Sequence, residues 1–325
     1  MYSLTLLIFV FIAIFIFGIV LMRIGFQTLT YTHIKQFTPK LSPLNGLLAG
    51  LLITALLQSS SASIALLITF MASMRRSLKF AICYLIGANI GTTFTVQLFV
   101  WNNLDLMWFC LIVGVLLIFI PLQHYLWFSG GVISFGLGII FTALYGLENL
   151  ASVIPTQQIE QLIGVEQEST FHLMLLGFML TTVIQSSTTV TGILMSFSTD
   201  GLIPLSHIYY LLLGINIGTC ITILIVSISQ PFYAKITAYA HIWINVLGAI
   251  IALPAIFRDP LIQLTTWLTS NPEQQIVFIS ILYNVVTGVI FLLLLSPFCK
   301  FITFIHKDKS DLRTQKKAVP KSRVD

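Results

Sequence analysis

The chain has 325 residues, of which 57% are apolar and 8% charged, with a mean hydropathy of +0.97 and a formal net charge of +5. A soluble domain carries roughly 25% charged residues, so a water-soluble globular fold is excluded and an integral membrane protein is implied. Eight of the basic residues fall at or after Lys300, which reads as a cytoplasmic, lipid-facing topological signal rather than a partner-binding segment.

Uncharged stretches long enough to cross about 30 Å of hydrocarbon fall at residues 4–22, 80–100, 106–126, 129–147, 206–229, 236–257 and 274–299. None alternates with a period of two, so an all-α polytopic bundle is predicted. The first, Leu4 to Met22, follows no basic segment and precedes no small-residue cleavage site, and reads as a retained span. Cys83, Cys110, Cys220 and Cys299 lie scattered in apolar segments; packing is their expected role, with no disulfide and no metal.

After the first span and the loop Thr28 to Ser42, the chain runs from Leu41 to Met74 without a charge, yet carries "QSSS" at Gln58 to Ser61. Sliding the sequence by 127 residues lays Gln58–Phe70 on Gln185–Phe197 and "GANIGTTFT" (Gly87 to Thr95) on "GINIGTCIT" (Gly214 to Thr222). Of the 38 aligned pairs, 13 are identical, and nine of those fall in the two polar motifs. Chance similarity between apolar helices would concentrate in Leu and Ile, so the pattern indicates an internal duplication. A related helix precedes each copy, Phe17 to Leu29 and Leu137 to Leu150.

Pro43 to Met74 is too long for one straight crossing and too short for two. A re-entrant hairpin of two half-helices fits, with its tip at Gln58 to Ser61, and Thr170 to Thr199 fits likewise. Charge supports this. With the N-terminus outside and the hairpins re-entering, 14 of the 16 basic residues lie in the cytoplasm: Lys35, Lys40, Arg75, Arg76, Lys79, Lys235 and the tail. The loop Glu148 to Ser169, with four glutamates, and Asp200 lie outside. Arg258 also lies outside, and Arg23 reads as an anchor near a membrane end rather than a substrate ligand. Three spans per copy make the second copy insert inverted, so the hairpins meet from opposite faces. The expected organisation is repeat 1 over residues 1–127 with its hairpin at about 43–74, and repeat 2 over 128–257 with its hairpin at about 170–199. A C-terminal span over 258–300 and a basic cytoplasmic tail over 301–325 follow.

A broken hairpin exposes the N-terminus of its second half, with unpaired N–H groups and partial positive charge. Two such ends suit an anion. Ser59, Ser60, Ser61, Ser186, Ser187, Thr188 and Thr189 add hydroxyls that both donate and accept. Gln58 and Gln185 offer amide N–H to the anion and carbonyl oxygen to a cation. Gly87, Gly91, Gly214 and Gly218 are expected to break their helices beside Asn89, Thr92, Asn216 and Thr219. Neutral oxygens without carboxylates suit sodium rather than a divalent metal. Ser63, Thr93, Thr191, His241 and Asn245 are adjacent candidates, the last two one turn apart on a helix face. No basic residue lies in either hairpin or either glycine-containing span, so helix ends and sodium are expected to balance the anion's charge.

The duplicated "QSSS" and "QSST", each followed by "GANIGTT" or "GINIGTC", resemble the signature of the type II sodium/phosphate cotransporters and their bacterial relatives. The resemblance covers roughly Phe17 to Phe257, and "AHIWIN" (Ala240 to Asn245) is similar to a segment of the family's second repeat. It implies sodium-coupled movement of inorganic phosphate at the cell membrane, with the tips and the Asn-Gly-Thr segments binding substrate and sodium as coupling ion, and no other cofactor. Three departures stand out: the second tip ends in Thr188, Ala62 stands opposite Thr189, and about 25 mostly polar residues follow the last span where many bacterial relatives carry a regulatory domain. Another oxyanion, proton coupling or export remain alternatives. An enzyme is not expected, because no GxSxG elbow or SxxK motif accompanies the serines. The sequence leaves the oligomeric state open, a homodimer included.

Overall fold

The computed structural model describes residues 2–35, 41–73, 77–120, 125–153, 169–198 and 203–306. Lys40, Arg75, Arg76, Asp200, three of the four loop glutamates and the tail from residue 307 onward lie outside the described residues.

The described residues form helices and no strands. In chain order they are α1 (Tyr2–Lys35), α2 (Pro43–Leu57), α3 (Ser60–Ser73), α4 (Leu78–Phe99), α5 (Leu104–Phe119), α6 (Tyr125–Ala151) and α7 (Thr170–Ile184). Then follow α8 (Ser187–Ser196), α9 (Leu205–Ser227), α10 (Phe232–Ala252), α11 (Ala255–Leu268), α12 (Pro272–Leu293) and α13 (Leu295–Ile305). Six are long and apolar enough to cross a membrane: Leu4–Thr30 within α1, then α4, α6, α9, α10 and α12. The chain is an all-α, multi-pass membrane protein.

Three segments depart from expectation, each for a proline. The stretch 106–126 yields only the 16 residues of α5, about 24 Å at 1.5 Å per residue. Ile120, which precedes Pro121, is extended at φ −60°, ψ 126°, as the ring of a following proline demands. The stretch 274–299 divides at Leu294 into α12 and α13; Pro297 has no N–H for the Leu293 carbonyl, so the helix cannot run through. Helix α11, not anticipated, starts after Pro254 and contains Pro260. Its Ile256 and Trp267 are exposed beside an Arg258–Asp259 ion pair at 2.7 Å, an amphipathic pattern of the kind that lies at a membrane interface.

The two copies pack in the same register. Helix α2 lies along α4, and α7 along α9. A Cβ on Gly50 would strike the Tyr84 carbonyl, and one on Gly177 the Leu211 carbonyl. A Cβ on Gly87 would strike the Leu47 carbonyl, and one on Gly214 the Met174 carbonyl. For Gly91 and Gly218 the obstacles are the carbonyls of Leu51 at 2.6 Å and Phe178 at 2.8 Å. Each pair is its fellow shifted by 127 residues. Small residues let membrane helices approach closely where lipid supplies no hydrophobic drive.

That packing corrects an expectation. Helices α4 and α9 run unbroken through both glycine-containing motifs. Gly87, Gly91, Gly214 and Gly218 are contact points, not breaks, and the carbonyls beside Asn89 and Asn216 remain within helices.

Candidate functional site

The breaks that do occur are at the glutamines. Gln58 (φ 52°, ψ 30°) ends α2 and Gln185 (φ 57°, ψ 26°) ends α7, both left-handed. Among the described residues they are the two non-glycine positions with positive φ. The chain then turns into a new helix whose N-cap is a serine: Ser59 Oγ accepts from Ala62 N at 3.2 Å, and Ser186 Oγ from Thr189 N at 3.3 Å. Such a cap satisfies one of the first N–H groups and leaves its neighbours available.

Both helix starts face one pocket. Its walls are Ser59, Ser60 and Ser61 from the first tip and Gln185, Ser186, Ser187 and Thr188 from the second. Thr92 of α4, Thr219 of α9 and Arg23 of α1 complete it. A second small cavity shares Thr92, Ser187 and Thr188 with the first, and adds Thr191, Asn216 and Ser280.

The hydroxyls divide into two chemical kinds. Those of Ser60, Ser61 and Ser187 make no hydrogen bond within the described residues, so they can donate to an oxyanion. Thr92 Oγ1 donates to the Asn89 carbonyl at 2.5 Å, and Thr219 Oγ1 to the Asn216 carbonyl at 2.6 Å. With the proton committed to the backbone, those oxygens present lone pairs to the pocket, which suits a cation. Ser186 Oγ and the Thr189 hydroxyl bond each other at 2.8 Å, and Thr188 Oγ1 lies 3.1 Å from Ser186 Oγ. Ala62 makes no counterpart bond in the first tip.

Several predicted site residues lie off the pocket. Gln58 is buried, its Nε2 donates to the Ala55 carbonyl at 2.5 Å, and its Oε1 has no hydrogen-bond partner; Gln185, by contrast, is exposed. Asn89 Nδ2 donates to Asn245 Oδ1 at 2.8 Å, and Asn245 Nδ2 lies 3.0 Å from His241 Nε2. That network, half-buried at Asn89 and buried at His241 and Asn245, joins α4 to α10 and engages the Asn89 amide N–H with the Asn245 side chain. Ser63 Oγ lies 2.8 Å from the Tyr84 hydroxyl, and Thr93 Oγ1 donates to the Ile90 carbonyl at 2.7 Å. Asn216 Nδ2 donates to the Leu212 carbonyl at 2.9 Å while the residue lines the second cavity.

Two polar wall residues were not among the expected site residues. Ser280 of α12 lies in an apolar span without a motif. Arg23 was expected to anchor a membrane end, yet it lines the pocket, and its Nε is buried without a hydrogen-bond partner. The site therefore has a basic side chain after all, delivered by a helix outside both hairpins.

Comparison with known proteins bears on this arrangement. The Bacillus subtilis (strain 168) protein called "Uncharacterized protein YqeW" is 35% identical over 300 residues, 90% of this chain and 94% of that one. The Escherichia coli (strain K12) protein called "Putative inorganic phosphate export protein YjbB" is 25% identical over 274 residues, 82% of this chain. A Salmonella typhimurium protein of the same name is 26% identical over 281 residues, 83% of this chain. This chain spans about half, 49%, of the length of each phosphate-export relative. No solved structure matches. The sequence profile of the Na+/Pi-cotransporter matches twice, over residues 14–149 and again over 145–270. The two matches straddle the two tips, one each, and the chain belongs to the Na+/Pi-cotransporter family.

Proposed function

We propose that the protein carries inorganic phosphate across the cell membrane, coupled to sodium, by alternating access around the pocket between the two tips. The observation that carries this reading is the convergence of two helix starts, at equivalent positions of a duplicated sequence, on one polar pocket. Helix N-termini stabilise anions, and Ser60, Ser61, Ser187 and Thr188 offer hydroxyls to an anion that carries both bare and protonated oxygens. Family membership and the names of the relatives support phosphate as the cargo.

Sodium is assigned to the opposite helix ends. Thr54 and Gln58 close α2, and Thr181 closes α7, where terminal carbonyls carry negative partial charge. Thr54 Oγ1, Gln58 Oε1 and Thr181 Oγ1 are buried without hydrogen-bond partners, and buried polar atoms ordinarily have one. A cation would supply it. Gln185, Thr92, Thr219 and Asn216 offer further neutral oxygens on the cavity walls, and Asn89 keeps its own side-chain oxygen while its amide N–H is held by Asn245.

In this reading the tips belong to re-entrant hairpins, α2–α3 and α7–α8, in repeats of inverted topology with the N-terminus outside and the C-terminus in the cytoplasm. The test is uptake of radioactive phosphate into vesicles holding the purified protein, with and without an inward sodium gradient. Concentrative uptake driven by sodium is expected; uptake indifferent to sodium would contradict the coupling. The phosphate-export relatives favour a second direction, which the same vesicles loaded with phosphate would reveal as sodium-dependent efflux.

A further inference from the structure

We propose that Arg23 is the fixed positive charge of the anion site and sets how strongly anion binding depends on sodium. The inference rests on the pocket being the phosphate site. Arg23 lines that pocket together with the starts of α3 and α8, and its Nε is buried with no hydrogen-bond partner among the described residues. A buried, unpaired guanidinium N–H is expensive to keep. No acidic side chain lines either cavity, and the Arg258–Asp259 pair on α11 is the ion pair among the described residues. An anion entering between the tips is the partner this group lacks.

Placement supports the role. Arg23 sits in the helix preceding the first tip; in the related helix of the second copy, Phe17–Leu29 laid on Leu137–Leu150, the residue at its position is Ala143, fully buried. The duplication thus supplies two serine-lined tips but one cation. Gly18 and Gly25 seat that part of α1 against α6: a Cβ on Gly18 would lie 2.9 Å from the Gly136 carbonyl, and one on Gly25 2.8 Å from the Ser129 carbonyl. The helix carrying the charge is therefore packed closely against α6 on both sides of Arg23.

The charge count follows. Each helix start is worth about half a positive charge, so two starts and one guanidinium offset a phosphate dianion without sodium. Sodium then adds affinity on top of a site already near balance. Remove Arg23 and the balance must come from sodium. A planar guanidinium also matches two oxyanion oxygens at once, which an ammonium does not.

The experiment is calorimetric titration of inorganic phosphate into purified protein in sodium and in choline, for the unaltered chain, Arg23→Gln and Arg23→Lys. Arg23→Gln is expected to weaken binding in choline about tenfold to a hundredfold, as loss of a charge-assisted hydrogen bond does, and less in sodium, so the sodium-to-choline ratio rises. Arg23→Lys is expected to fall between the two. As a safeguard against a folding defect, Arg23→Cys treated with an aminoethyl methanethiosulfonate should regain binding, and treatment with the uncharged methyl reagent should not. Unchanged binding by Arg23→Gln in choline, or a loss equal in both salts that no restored charge repairs, would overturn this inference while leaving phosphate binding intact. Failure of the unaltered protein to bind phosphate in either salt would overturn both readings.

Discussion

Gln58 and Gln185 stand 127 residues apart and share one backbone conformation, φ 52° and 57°, at the point where one helix ends and the next begins. Left-handed backbone suits glycine and disfavours a side chain, so a glutamine at both places has a use beyond the turn. Their surroundings then diverge: Gln58 is buried and Gln185 exposed. Gln58→Gly should fold at least as well as the parent yet lose sodium stimulation of transport, and Gln58→Leu should lose it too while the protein remains in the membrane. Sodium dependence like the parent's in both variants, measured in vesicles, would remove Gln58 from the sodium site.

The orphaned hydroxyls of Thr54 and Thr181 allow a similar distinction. Thr→Val keeps the shape and deletes the oxygen. If these oxygens only pack, the change relieves an unsatisfied group and stabilises by about 1 kcal/mol or leaves stability unchanged. If they hold a cation, sodium affinity falls about tenfold or more in either variant. Titration of sodium into purified protein decides between the two.

Ser60 and Ser187 are expected to serve the anion. Alanine at either position should weaken phosphate binding about threefold to tenfold, the worth of one neutral hydrogen bond, with a smaller effect on sodium titrated alone. Ser63→Ala is the contrast, because its hydroxyl is bound to Tyr84; it should lower thermal stability and leave phosphate affinity near that of the parent.

The close contacts of α2 with α4 and of α7 with α9 predict a symmetric sensitivity. Gly87→Val and Gly214→Val each drive side-chain atoms into a backbone carbonyl of the neighbouring helix, and should destabilise by about 3 kcal/mol or more, above ordinary overpacking because a main chain cannot swing aside. Gly130, where an added Cβ meets nothing within 4 Å, should accept alanine and gain up to about 1 kcal/mol of helix stability. Yield and thermal midpoint of purified variants check both.

For topology, single cysteines placed near Ser42 and near Met74 should be labelled by a membrane-impermeant reagent from the same side. Labelling from opposite sides would mean that α2–α3 crosses the membrane, and the inverted arrangement would be lost with it.

Much of the site was legible because polar residues in an uncharged apolar chain need a reason, and finding them twice at a constant spacing of 127 supplied one. Both breaks at Gln58 and Gln185, and the tip serines, follow from that pattern. The roles of Gly87 and Gly214 did not, because a glycine in a membrane helix reads equally as a weak point or as a contact. Only the facing carbonyls of Leu47 and Met174 decide it. Arg23 was missed for a different reason: its reach into the pocket depends on how α1 lies against the two tips, a tertiary fact with no local signature. Helix α11 was missed because Pro254, Arg258 and Pro260 interrupt its apolar pattern.

The most direct test of the account is the affinity of the purified, unaltered protein for inorganic phosphate, measured by calorimetry in sodium and in choline at equal ionic strength. Tighter binding in sodium is predicted, with phosphate raising sodium affinity by the same factor, as linkage requires. Equal affinity in the two salts would show that sodium adds nothing to anion binding, and would contradict sodium coupling at this site.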